Sequence, residues 1–135
     1  LNKEERAVKI FRRKKKGFTL IELMIVIAII AVLAAILIVQ WVGARQAAYD
    51  SEALTVARNC VLAAQVYYAQ NKLSYLDLDK TDLANIEPSL GTTPVSITVN
   101  SATANAFEIR VDGQGSTPKT YWATEAGVTD VDPSP

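Results

Sequence analysis

Residues 14–36 read KKKGFTLIELMIVIAIIAVLAAI: a basic run, one glycine, a short mixed segment with a single acid, and then only apolar residues. From Leu23 to Val39, 17 consecutive residues are apolar and uncharged. Adding Phe18 to Glu22 before them, and Gln40 and Trp41 after, gives 24 residues. A helix rising about 1.5 Å per residue covers roughly 36 Å over that length, and the hydrocarbon core of a bilayer is about 30 Å thick. The stretch 18–41 is therefore expected to be a membrane-spanning helix with modest tilt. Trp41 stands where the apolar run ends, the place of an aromatic anchor at the membrane interface.

The charges outside this stretch are divided unequally. The chain of 135 residues carries 14 basic and 14 acidic side chains and has no net charge. Residues 1–17 hold eight bases and two acids, a net of +6, so residues 18–135 carry −6. A basic head on an acidic body points to a membrane, a nucleic acid or a processing event. Arg12 to Lys16 directly precede the apolar run, which makes a topology signal the better reading than a nucleic-acid patch. By the positive-inside bias the N-terminus stays in the cytoplasm and the C-terminal body is exported.

Two residues in this stretch, Gly17 and Glu22, depart from the pattern of a plain apolar span. Gly17 alone separates the basic block from the apolar block, and no A-x-A-like site follows the apolar run, so an ordinary secretory cut after the span is not indicated. Glu22 places a carboxylate at the start of the span, where an ionised group is costly and a functional candidate by default. The plainer alternative is that it lies at headgroup level and pairs with a neighbouring lysine.

With its basic residues, Gly17, Phe-Thr-Leu-Ile-Glu and about twenty apolar residues, the segment Lys14–Ile36 resembles the N-terminus of the type IV pilin superfamily, which includes the pseudopilins of type II secretion. The resemblance implies that 1–17 is a cytoplasmic leader cut between Gly17 and Phe18. It further implies that the new amine of Phe18 is N-methylated by the same prepilin peptidase, and that Glu22 serves assembly. A carboxylate four residues from that amine is poorly buried alone, so Glu22 of one subunit is expected to neutralise Phe18 of a neighbour and fix the axial register. Many family members carry Gly at the position of Ala31 and Pro at that of Val39; with neither here, local melting of the helix is not expected at those positions.

Beyond the span, Ala53, Ala57, Cys60, Val61, Ala64, Tyr67 and Tyr68 recur at spacings of three and four. That is one apolar stripe on an amphipathic helix over 42–72. The whole helix is expected to have roughly 55 residues, about 80 Å. Residues 73–135 read as a small loop-plus-sheet part packed on 42–72. It has a short helix near Asp82–Ile86, turns at Pro88, Gly91 and Pro94, strands at Val95–Asn100, Ala106–Asp112 and Thr120–Thr124, and a loose tail from Asp130. The fold class is therefore α+β: a long N-terminal helix on a small antiparallel sheet, an architecture similar to the pilin fold.

Catalytic chemistry finds no foothold. The chain has no His, which removes His-based triads and metal clusters. Cys60 is the sole cysteine, so an intrachain disulfide is impossible; its place on the stripe suits a buried small apolar side chain. Asp77, Asp79 and Asp82 fail the spacing of a calcium loop, which requires Gly at position six and Glu at twelve. Glu125, Asp130 and Asp132 lie where the resemblance to major pseudopilins suggests a calcium loop; solvated acids are the default, and no cofactor is expected.

The reading is a non-enzymatic structural subunit that polymerises through its apolar helix. Its expected partners are further copies of itself and minor pilins, the prepilin peptidase, an inner-membrane assembly platform with a separate ATPase, and lipid before assembly. Nucleic acid is not the main partner. The expected location is the cytoplasmic membrane as precursor and an extracellular or periplasmic filament afterwards. The alternatives are a pseudopilin, a competence pilin for DNA uptake, and a membrane-anchored binding module that never polymerises.

Overall fold

The computed structural model describes residues 16–133. The chain divides between Val39 and Gln40 into two units. Helix α1 covers Leu20–Gln70. Among the described residues of the first unit none is buried: every large apolar side chain from Leu20 to Val39 is more than half exposed. A helix that is apolar all round must find its cover elsewhere, in lipid or in other chains.

The second unit has its own core. From α1 it takes Ala53, Val56, Ala57, Cys60, Val61, Ala63 and Ala64. Helix α2, Lys80–Ile86, and the single turn α3, Ser89–Thr92, follow. Then come strands β1 Ser96–Ala102, β2 Phe107–Asp112, β3 Thr120–Thr124 and β4 Gly127–Thr129. They form one antiparallel sheet in the order β1-β2-β3-β4. Strand β2 shows why the sheet faces the helix. Phe107, Ile109 and Val111 are buried, while Glu108, Arg110 and Asp112 alternate with them toward the other face. Each such buried apolar side chain stabilises the fold by about 1.5–3 kcal/mol.

The ends of the elements have local causes. Helix α1 stops at Gln70, two residues before the expected Lys72, because Lys72 and Leu73 adopt positive φ values of 53° and 60°. The Leu73 amide then donates to the Tyr68 carbonyl at 2.9 Å, a Schellman-type closure with Lys72 in the left-handed position. Helix α2 starts earlier than expected. Asp79 is its N-cap: the Asp82 amide donates to Asp79 Oδ1 at 2.9 Å, and the Asp79 amide donates to Asp82 Oδ2 at 3.2 Å. Those two acids therefore serve as a capping box.

The expected strands are present with small shifts. Val95 is buried but precedes the ladder, and β1 runs on to Ala102 through an irregularity between Val99 and Ser101. The turn α3 and strand β4 were not anticipated. The β3–β4 reversal uses Glu125 and Ala126, which are not a favoured turn pair, and relies on Gly127 at a φ of +125°. Trp122 lies opposite Arg110 on the sheet face away from the helix, yet it is nearly buried. The Arg110 guanidinium sits 5.9 Å from its ring centroid and pairs with Asp112 at 2.9 Å.

Candidate assembly site

The basic residues from Arg12 to Lys15 lie outside the described residues, which begin at Lys16. Gly17 has open space around it, and Phe18 is 92% exposed. Both precede the first helical residue and are exposed, so the bond between them lies in accessible backbone outside the helix.

Immediately after them, Thr19 and Glu22 close the first turn of α1. The Thr19 amide donates to Glu22 Oε2 at 2.8 Å, and the Glu22 amide donates to Thr19 Oγ1 at 3.3 Å. This reciprocal pair is a capping box, which satisfies donors that a helix start otherwise leaves open. The acid also complements the positive end of the helix dipole. Glu22 therefore has a role within its own chain that neither the assembly reading nor the lysine-pairing reading supplied. The spelling Thr-Leu-Ile-Glu before an apolar run is a direct sequence signal for it. A carboxylate has about four acceptor sites, so the box leaves capacity for a second partner.

In the second unit, Trp41, Arg45 and Tyr49 follow one another at helical spacing. The Arg45 guanidinium lies 5.0 Å from the Trp41 ring centroid and 5.8 Å from that of Tyr49, and Nη2 donates to the Tyr49 hydroxyl at 2.9 Å. Next to them, Gln46 holds the β2–β3 loop. Its Nε2 donates to Asp50 Oδ1 and to the Gln114 and Thr117 carbonyls, each at 3.1 Å, while Oε1 accepts from the Ser116 amide at 3.1 Å. Asp50 also faces Lys119 at 3.9 Å. Glycines make this approach feasible. A Cβ at Gly113 would stand 2.9 Å from the Lys119 carbonyl, and Gly115, at a φ of +101°, lies against Gln46. The sequence pointed to Trp41 alone here. The i, i+4 spacing to Arg45 and Tyr49 was visible, whereas Gln46 carried no signal, because four of its five hydrogen bonds reach Gln114, Ser116 and Thr117 in a loop about 70 residues away.

The acids considered for calcium are not assembled into a site. Glu125 Oε2 accepts from the Phe107 amide at 3.3 Å, Asp130 and Asp132 lie on the exposed stretch after β4, and no three His, Cys, Asp or Glu groups gather for a metal among the described residues. Cys60 is completely buried in the core, and burial pushes its thiol up to about 12. It is an inert packing residue.

A long helix, apolar over a membrane-spanning length, capped at its start and followed along the chain by a four-stranded antiparallel sheet, defines an α+β, pilin-like protein. Residues 12–38 match the family described as the prokaryotic N-terminal methylation motif. The chain is also 39% identical over 107 residues to the type IV wide pilus major component PilA4 of Thermus thermophilus, a match covering 78% of this chain and 79% of that protein. The chain belongs to the type IV pilin family and is a structural subunit of a pilus.

Proposed function

We propose that the chain is made as a membrane-anchored precursor, cut between Gly17 and Phe18, methylated at the Phe18 amine, and then built in many copies into a wide-pilus-like filament. The observation that carries this reading is the juxtaposition at the helix start. An accessible Gly17–Phe18 bond, a capped carboxylate at Glu22 and an apolar surface without intrachain cover follow one another within a few residues. The major-component role rests on the similarity to the Thermus protein.

Before assembly, lipid covers the apolar surface, with the basic leader on the cytoplasmic side and Trp41 at the opposite interface. In the filament, neighbouring helices replace lipid at little cost, and Glu22 keeps its Thr19 contact while its remaining acceptor capacity meets the Phe18 amine of a neighbour. A wrong stagger strands that amine in an apolar core, which selects the register. Prepilin peptidase performs the cut, and a platform with a separate ATPase supplies the free energy of extraction, since the chain has no Walker-type sequence. Minor pilins complete the partner set.

Mass spectrometry of subunits recovered from sheared surface filaments tests the reading. The expected N-terminal peptide begins with methylated Phe18. Filaments built of chains that retain residues 1–17 would refute it.

A further inference from the structure

From the ladder on α1, we infer that Arg45 is a binding site for a lipid phosphodiester in the outer leaflet, formed with Trp41, Tyr49 and the Gly115–Ser116 turn. The inference rests on the proposed membrane-spanning state of the precursor and adds a specific ligand to it.

Arg45 is the first charged residue after Glu22. It lies six residues beyond Val39, so its backbone stands about 9 Å past the end of the uncharged run. Each headgroup layer is about 5–7 Å deep. Helical side chains lean toward the N-terminus, and the guanidinium does so here, reaching back over the Trp41 ring at 5.0 Å. The charge is thereby returned to headgroup depth, beside the residue type most characteristic of that layer.

The charge is also available. Among the described residues Arg45 faces no carboxylate at ion-pair distance. Nearby Asp50 is engaged instead by Gln46 and Lys119. Of the five guanidinium donors, one goes to the Tyr49 hydroxyl. That bond and the two rings hold the plane in place, and the remaining donors match the paired oxygens of a phosphodiester. Trp41, Val42, Arg45, Gln46, Tyr49, Gly115 and Ser116 line an open cleft of about 270 Å³ beside this group. Gln46 fixes its far wall by pinning the Ser116 amide. Cation, aromatic floor and fixed wall together suit a phosphate-bearing headgroup better than a sugar one.

The full chain in detergent micelles is titrated with phosphatidylglycerol or with a phosphate-free glycosyl diacylglycerol of the same acyl chains, and bound lipid is counted by native mass spectrometry. Every variant keeps the leader, so its contribution cancels. Arg45→Gln is expected to lower phosphatidylglycerol retention about fivefold, the worth of one basic residue at an anionic surface, and to leave glycolipid retention unchanged. Arg58→Gln, an exposed arginine farther along the helix, is expected to change neither. Equal losses in the two variants, or undiminished phosphatidylglycerol in Arg45→Gln, overturn the inference. So does displacement of the lipid by inorganic phosphate, which would mark a free-phosphate site. Loss of self-association with lipid retention intact would assign Arg45 to a neighbour's carboxylate, and would overturn it too. Failure of the unaltered chain to partition into vesicles of either lipid would instead refute the membrane-spanning reading underneath.

Discussion

At the scale of single residues, Cys60 gives the clearest physical handle. Its thiol is raised from 9.0 to about 12 by burial, with Lys80 pulling slightly the other way. The folded state therefore holds the proton more tightly than the unfolded state. Below about pH 9 both states are protonated and the contribution is complete. As pH climbs toward 12 the unfolded thiol ionises first, and stability falls by up to about 1.4 kcal/mol per pH unit. Cys60→Ala removes this slope while costing about 1 kcal/mol at neutral pH through the smaller side chain. Thermal unfolding of the full chain in detergent, followed by circular dichroism from pH 7 to 11, is expected to show the two proteins converging as pH rises. Tyr75, raised by burial and by Tyr68 and Glu125, adds its own alkaline loss equally to both. A constant gap across that range would mean that Cys60 ionises as freely in the folded chain as in the unfolded one. The place of Cys60 on the packed face was legible from spacing alone. The grip of Gln46 on the β2–β3 loop was not, because nothing in a sequence says which distant carbonyls a glutamine will reach.

Between elements, the packed face of α1 is built from small residues. Ala53, Ala57, Cys60 and Ala64 are fully buried, with Ile109, Val111 and Ala123 of the sheet equally buried in the same core. Close approach of helix and sheet depends on those short side chains. Ala57→Leu is expected to destabilise the fold by about 1–3 kcal/mol, whereas Leu62→Ala, at a site 60% exposed, should stay within about 0.5 kcal/mol. Chemical denaturation of the two variants compares them directly, and equal midpoints would show that the alanine stripe does not set the spacing. The stripe was readable at intervals of three and four, but Val56 and Ala63 were missed. The buried arc is wider than one stripe, since Tyr75, Leu78, Leu83 and Leu90 join the same core from the segment after the helix. Three strands were legible because their apolar residues alternate or cluster between turns. Strand β4 was not, because three half-buried residues carry no period and their turn depends on one glycine placed after it.

For the whole molecule, the unequal charge matters more than its zero sum. Under the proposed removal of residues 1–17 the remaining side chains carry −6, so in the proposed filament the subunit bodies repel one another, and cohesion must come from the apolar helices and from whatever neutralises charge among them. The first turn of α1 combines two tasks that substitutions can separate. Glu22→Gln keeps an oxygen able to accept from the Thr19 amide, so the cap survives while the negative charge is lost. Thr19→Val does the reverse: it removes the hydroxyl that accepts from the Glu22 amide and leaves the charge. Loss of a cap costs about 1 kcal/mol locally. An amine left unpaired in an apolar core costs about 3–5 kcal/mol, and each 1.4 kcal/mol is tenfold in an equilibrium. Under the proposed assembly, Glu22→Gln is thus expected to reduce sheared filaments by at least about tenfold, with subunits accumulating in the membrane. Thr19→Val should reduce them by no more than about fivefold. Immunoblots of the filament and membrane fractions measure both. Equal losses would assign the function of Glu22 to the cap, and full assembly of Glu22→Gln would remove its charge from the mechanism altogether.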